Sequence, residues 1–345
     1  MLTALLIIAR MAHVAASILF AGIFTFDLIP AGLTPVLRAS ADFREVERHL
    51  FHLAVWTLVA ALLSALLWFW LEVANMGGLR LMDSFSAIAW RTVLFETEFG
   101  RVWQLRLGLI AVAFAFIASG LAQDELRRAL ILVLWLLSVI FLVSLAWISH
   151  AAAARPQPLG LFGDALHLSA AGGWLGGLAP LAIFLTRARI SFSLSRRAAP
   201  VLQRFSMLSL CCVSVLVVSG ISNSWLLVGS IHALFTTPYG RLLLFKLTIF
   251  AILIAFGAGN RFLIKEKLLK TPAEKGLLPQ LQRNVLCEVC LGAAVVAIVA
   301  YLGVTPPARN AFVSRADRAI RARFFENFCR YTRDERKLHV SDRSR

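Results

Sequence analysis

The sequence predicts an all-α, polytopic membrane protein of about eight transmembrane helices in two parallel four-helix repeats. Three observations predict it. The 345-residue chain is 59% hydrophobic and only 16% charged, whereas soluble domains are about half apolar and about a quarter charged. Eight apolar runs, at about 2–29, 52–75, 103–122, 129–148, 163–186, 205–229, 239–260 and 285–303, approach the roughly 20 residues that a helix needs to cross a hydrocarbon core. Features of the first four runs also recur in the last four. A membrane β-barrel would show alternating segments of about ten residues instead.

The first run, "MLTALLIIARMAHVAASILFAG", carries no basic stretch ahead of its apolar residues. It continues past Arg10 and His13 as one helix, so it reads as a retained first span rather than a secretory leader. Loops after spans one, three, five and seven hold sixteen Lys and Arg, and those after spans two, four and six hold five. Short-loop basic residues mark the cytoplasmic side, which places the first set inside and the N-terminus outside. Eleven of the 35 basic residues follow residue 304. By the same count this tail falls outside, where it reads as a segment lying along the membrane surface. The net charge of +16 is thus a matter of loops and tail, and a chain this apolar offers no soluble basic groove for nucleic acid.

Two echoes mark the repeat. "FETEFGRVWQLRLGL" (95–109) parallels "FTTPYGRLLLFKLTI" (235–249), which aligns Arg106 with Lys246. Both basic residues sit near the outer start of a span and are expected to snorkel to the interface. "AHVAASILFAG" (12–22) parallels "LHLSAAGGWLGG" (166–177), which aligns His13 with His167 and Gly22 with Gly176. The expected organisation is a first repeat at 1–150, a second at 151–308 and a basic tail at 309–345.

Ionisable residues at membrane depth are candidates for function because a charge there costs at least ~2.5–3.5 kcal/mol. His150, Asp164, His167 and Met76 fall at the outer ends of spans, with His13 one to two turns deeper. Asp164 and His167 are three apart and share a helix face. Imidazole and thioether ligate copper, and a nearby carboxylate can orient the imidazole. These five residues form a candidate metal site. The plainer reading stands beside it: a lone histidine in a span often bridges two helices by a hydrogen bond, Asp164 suits a helix start, and Met76 suits a loop end. Gly172 with Gly176, and Gly173 with Gly177, are overlapping GxxxG spacings that let helices approach closely. Cys287 and Cys290 are three apart on one helix, a poor geometry for a disulfide. No nucleotide-binding loop, zinc-protease motif or Ser-His-Asp order is present, so nothing points to an enzyme or to ATP coupling.

The motifs "SHAAA" (149–153), "DALHLSAAGGWLGGLAPL" (164–181), "SGISN" (219–223), "TTPYGRLLLFKL" (236–247), "GNRF" (259–262) and "GVTPPAR" (303–309) resemble those of the CopD copper-resistance membrane proteins. "LLSALLWFWLEVANMGG" (62–78) and "TEFGRVWQLRLGL" (97–109) fit as well, so the resemblance covers roughly 1–309 and leaves out the tail from Asn310. It implies a multi-pass protein of the bacterial inner membrane that handles copper ions, usually as uptake from periplasm to cytoplasm. It also implies a periplasmic CopC-like copper carrier as partner. The alternative function is a haem-binding redox protein of the same membrane, with His13 and His167 as axial ligands.

Overall fold

The computed structural model describes residues 1–31, 40–119, 127–153, 157–263 and 276–311. The basic tail and the Lys-rich segment before the last span lie outside the described residues. Eight helices are long and apolar enough to cross a membrane, and no strand occurs among the described residues. The spans are α1 (Leu2–Ala31), α2 (Ala41–Gly77), α3 (Glu98–Ser119), α4 (Arg127–Val143), α5 (Gln157–Ile190), α6 (Ala198–Val228), α7 (Pro238–Leu263) and α8 (Leu277–Leu302).

Helix α2 starts eleven residues earlier than hydrophobicity alone indicates. Ser40 caps it, its hydroxyl accepting the Phe43 N–H at 3.3 Å. The added turns are charged because they clasp the inner end of α5 and the short helix after it. Arg187 pairs with Glu45 at 2.7 Å and donates to His49 Nε2 at 3.1 Å. Ser191 and Ser193 both donate to the Asp42 carboxylate, at 2.5 and 2.6 Å. Gly78, with φ of 60°, ends the helix in the left-handed conformation that a side chain would disfavour. Helix α4 tightens at its outer end into 3-10 turns at Ser144–Ile148 and His150–Ala153.

Helices α1 and α5 form the centre. Helix α1 packs on α2 and α4, and α5 packs on α6 and α8, while α1 also meets α8 and α4 meets α5. Where α1 crosses α5 the backbones touch. A Cβ placed on Gly22 would lie 1.9 Å from the Gly176 carbonyl carbon, and one on Gly176 would lie 2.1 Å from the Ile18 carbonyl oxygen. The two GxxxG spacings serve different neighbours. Gly172 and Gly176 face α1 and α4, whereas Gly173 and Gly177 face Cys212 and Phe205 of α6. Small residues thus allow van der Waals contact where lipid supplies no hydrophobic drive. Trp174, on the same stretch, is buried and meets Phe250 edge-on.

The Thr-x-x-Gly echo also has a structural basis. Thr97 and Thr237 each cap a span, accepting the N–H of Gly100 at 2.9 Å and of Gly240 at 3.0 Å. Each hydroxyl also donates back to the short helix before it, at Val93 O and Ala233 O. Losing an N-cap hydroxyl costs about 0.5–2 kcal/mol. Thr237→Ala is therefore expected to lower the melting temperature modestly without changing membrane level, as read by thermal unfolding in detergent.

Candidate functional site

Two polar clusters lie in the outer half of the bundle, one built on His13 and one on His167. His13 is fully buried on α1. Its Nδ1 contacts Ser64 Oγ at 3.0 Å and Ala61 O at 3.1 Å. The Ser64 hydroxyl spends its proton on Ala60 O at 2.6 Å, so Nδ1 carries the hydrogen and Nε2 is the acceptor. That acceptor is taken: Arg106 donates to it from Nε at 3.1 Å and from a terminal nitrogen at 2.7 Å. The remaining Arg106 donors reach Ser17 Oγ at 3.0 Å, and Phe141 O and Ser144 Oγ at 2.5 Å each. Trp68, Trp103 and Phe141 enclose the imidazole with ring centroids at 5.3–5.7 Å. The guanidinium carbon lies 4.0 Å from the Phe141 centroid, a cation–π placement. Arg106 therefore turns into the bundle rather than snorkelling to the interface. His13 offers no free lone pair, because both ring nitrogens are engaged.

The second cluster starts from the same parts. His167 Nδ1 lies 3.0 Å from Ser219 Oγ, and that hydroxyl donates to Val215 O at 2.6 Å. Nδ1 is again the protonated nitrogen, and Nε2 keeps its lone pair. No hydrogen bond to His167 Nε2 occurs among the described residues. Lys246 stands where the first cluster has Arg106, close enough to act electrostatically on both His167 and Asp164. One turn outward, Asp164 meets Asn223 Nδ2 at 3.4 Å and Ser149. The Asn223 side-chain oxygen is buried and has no hydrogen-bond partner among the described residues.

His150 joins this corner from the 3-10 turn after α4. Its ring centroid lies 6.3 Å from that of Tyr239, whose phenol is close enough to Asp164 to feel its charge. His150 Nε2 donates to the Leu302 carbonyl at 3.3 Å, and the ring also meets the Thr305 backbone. Burial pushes the His150 imidazole below its ordinary range; the backbone contacts with Leu302 and Thr305 oppose this and the nearby Arg10 charge adds to it. A lowered value keeps the lone pair free until the pH falls further. Metal ligation through the His150 imidazole, the role proposed below, is thus expected to persist as pH drops from 7 through 6.5, the ordinary imidazole value. Copper titrations at pH 7.0 and 6.0 check this, and a loss of binding centred at 6.5 would contradict it.

Of the five sequence candidates, His150, Asp164 and His167 are gathered at this outer corner. His13 belongs to the sealed cluster. Met76 stands half exposed at the end of α2, with no hydrogen bond or ring contact among the described residues linking it to the other four. No group of three His, Cys, Asp or Glu side chains converges among the described residues, so the corner offers separate ligands rather than a closed cage. Sequence reasoning missed Ser219, Asn223 and Tyr239 as its supports, although "SGISN" and "TTPYGR" contain them.

Two family models match. Copper resistance protein D-like, N-terminal domain, covers residues 1–157, and Copper resistance protein D covers 199–302. The chain is 28% identical to Copper transport protein CutJ of Bacillus subtilis over 61% of its own length and 37% of that protein's, so it spans little more than a third of that relative. It is 28% identical to Copper resistance protein D of Pseudomonas syringae pv. tomato over 63% of this chain and 71% of that one. It is also 28% identical to Inner membrane protein YebZ of Escherichia coli over 83% and 93%. No solved structure matches. With eight membrane-crossing helices and both family models in order along it, the chain belongs to the CopD family, as a multi-pass, copper-related protein of the inner membrane.

Proposed function

We propose that the chain carries copper across the inner membrane from the periplasm to the cytoplasm, taking the ion up at the outer corner of its second half. The observation that carries this reading is the contrast between two alike histidines. His13 and His167 share a serine-held tautomer, but among the described residues only His167 Nε2 has no hydrogen-bond partner. The His150 imidazole, once it leaves its backbone contacts, and the Asp164 carboxylate are the further ligands, and Met76 is an outer thioether contact on the way in. Copper accepts nitrogen, oxygen and sulfur donors of this kind. An incomplete ligand set suits a transfer site, because a periplasmic CopC-like carrier can keep part of its own ligation during the handover. Partial binding also lets the ion leave again.

The matched clusters, the matched Thr caps and the Gly22–Gly176 crossing support two parallel four-helix repeats, at 1–150 and 151–308. On this reading the first repeat is the fixed scaffold and the second carries the ion. The haem alternative loses support because His13 Nε2, the nitrogen an iron would need, is held by Arg106. The test is total cellular copper in cells producing the His150→Ala/His167→Ala variant at normal membrane level. Copper accumulation is expected to fall to that of cells lacking the protein; unchanged accumulation would remove the proposed site.

A further inference from the structure

A second buried polar group lies on the inner side of the same half, far from the outer corner. Glu288 of α8 is 2% exposed, eleven residues from the inner start of its helix. The Asn260 side chain donates to Glu288 Oε1 at 2.5 Å, and Asn284 donates in turn to Asn260 Oδ1 at 2.7 Å. Among the described residues the carboxyl has no cation within ion-pair distance. It faces a cavity of about 160 Å³ between α5, α6, α7 and α8, whose mid-membrane end is Trp174 and whose inner end holds Ser206 and Arg261. Arg261, the one other charged residue lining that cavity among the described residues, is engaged with Ser206 Oγ at 2.9 Å and with the Met207 sulfur.

We propose that Glu288 is a proton-binding site that exchanges with the cytoplasmic side through this cavity and couples proton movement to copper movement. The coupling part rests on the transport reading above; the proton site does not. An unpaired carboxylate at this depth is costly, so the group must hold either a proton or a metal ion. A hard metal ion takes about six oxygen ligands, and the Asn260 oxygen is already occupied, so the cluster offers one carboxylate only. A proton needs no more than that. The cavity has room for several waters at about 30 Å³ each, and Ser206, Ser209 and Asn260 line it as hydrogen-bonding groups. The step is a simple exchange: the carboxyl O–H breaks, the proton passes to water in the cavity, and the carboxylate is reloaded from either side as the helices shift.

The test uses full-length protein in lipid bilayers. Infrared difference spectra across pH should show a protonated-carboxyl C=O band that is absent in Glu288→Gln and present but displaced in Glu288→Asp. Glutamine keeps the oxygen that accepts from Asn260, and the aspartate variant guards against a mere folding defect. Identical pH-dependent bands in native protein and Glu288→Gln would overturn the proton site. In proteoliposomes carrying a trapped pH dye, copper entry should drive a proton signal that Glu288→Gln abolishes, with copper flux at least tenfold slower and outer-site copper affinity unchanged. An equal proton-to-copper ratio in that variant would overturn the coupling. A Glu288-dependent infrared band without any copper flux in the native protein would sustain the proton site and reject transport.

Discussion

Gly176→Ala is expected to remove most of the folded protein from the membrane, although it adds a single methyl group. That methyl would lie 2.1 Å from the Ile18 carbonyl oxygen, which is backbone and cannot swing aside. The α1–α5 crossing must open, and with it the contacts each central helix makes to its own flanking helices. Overpacking a well-fitted core costs about 1–3 kcal/mol even when side chains can adjust. A backbone clash at the centre of the bundle exceeds that and consumes much of the 5–15 kcal/mol of a typical protein. Gly108→Ala is the matched control. It sits on the exposed face of α3 with nothing within 4 Å of an added Cβ, and alanine is the better helix former by up to about 1 kcal/mol. Membrane level and thermal unfolding of the two variants should move in opposite directions. Equal tolerance of both would mean that the crossing is looser than described.

The second large effect is a separation between His13 and His167. His13→Ala strips Arg106 of an acceptor for two of its donors inside a sealed aromatic pocket. An orphaned buried donor costs about 1–3 kcal/mol, and more where the group is charged. The variant should melt at a clearly lower temperature, while its folded fraction still binds copper at the outer corner. His167→Ala should do the reverse. Ser219 keeps its bond to Val215 O, so stability changes little. Copper affinity should fall at least ~10–100-fold, the loss usual for disturbing even the supports of a metal ligand. Melting curves and anaerobic copper titrations on both variants read the two effects independently. Loss of copper affinity in His13→Ala at intact stability would move the site to the first cluster.

Much of the fold is legible in the sequence because the bilayer imposes a simple rule: each crossing needs a long apolar run. All eight spans follow from it. Their ends do not, since the inner turns of α2 are charged for a reason that lies at Arg187 of α5 and at Ser191 and Ser193 just beyond it. The glycines of α5 announce close contacts, but only packing shows that alternate members face α1 and α6. The site is legible in part. The echo between His13 and His167 picks out two related positions, yet the same pattern cannot tell a sealed histidine from an open one. That difference depends on Arg106 turning inward and on hydroxyl protons already given to Ala60 and Val215. A basic residue near a span end usually reaches for water; here Ser17, Ser144 and the Phe141 carbonyl supply enough acceptors to hold Arg106 inside. Glu288 escaped notice because its hydrogen-bond partner, Asn260, lies on a different helix, α7, and shares no helix spacing with it.

The central claim is that copper enters through the open histidine of the second half. Copper flux into proteoliposomes tests it most directly, with ion presented on the N-terminal side in the presence of a periplasmic copper carrier. Native protein should take up copper, His13→Ala should retain uptake in proportion to its folded fraction, and His167→Ala should fall to the level of empty vesicles. Native-like uptake by folded His167→Ala would contradict the account.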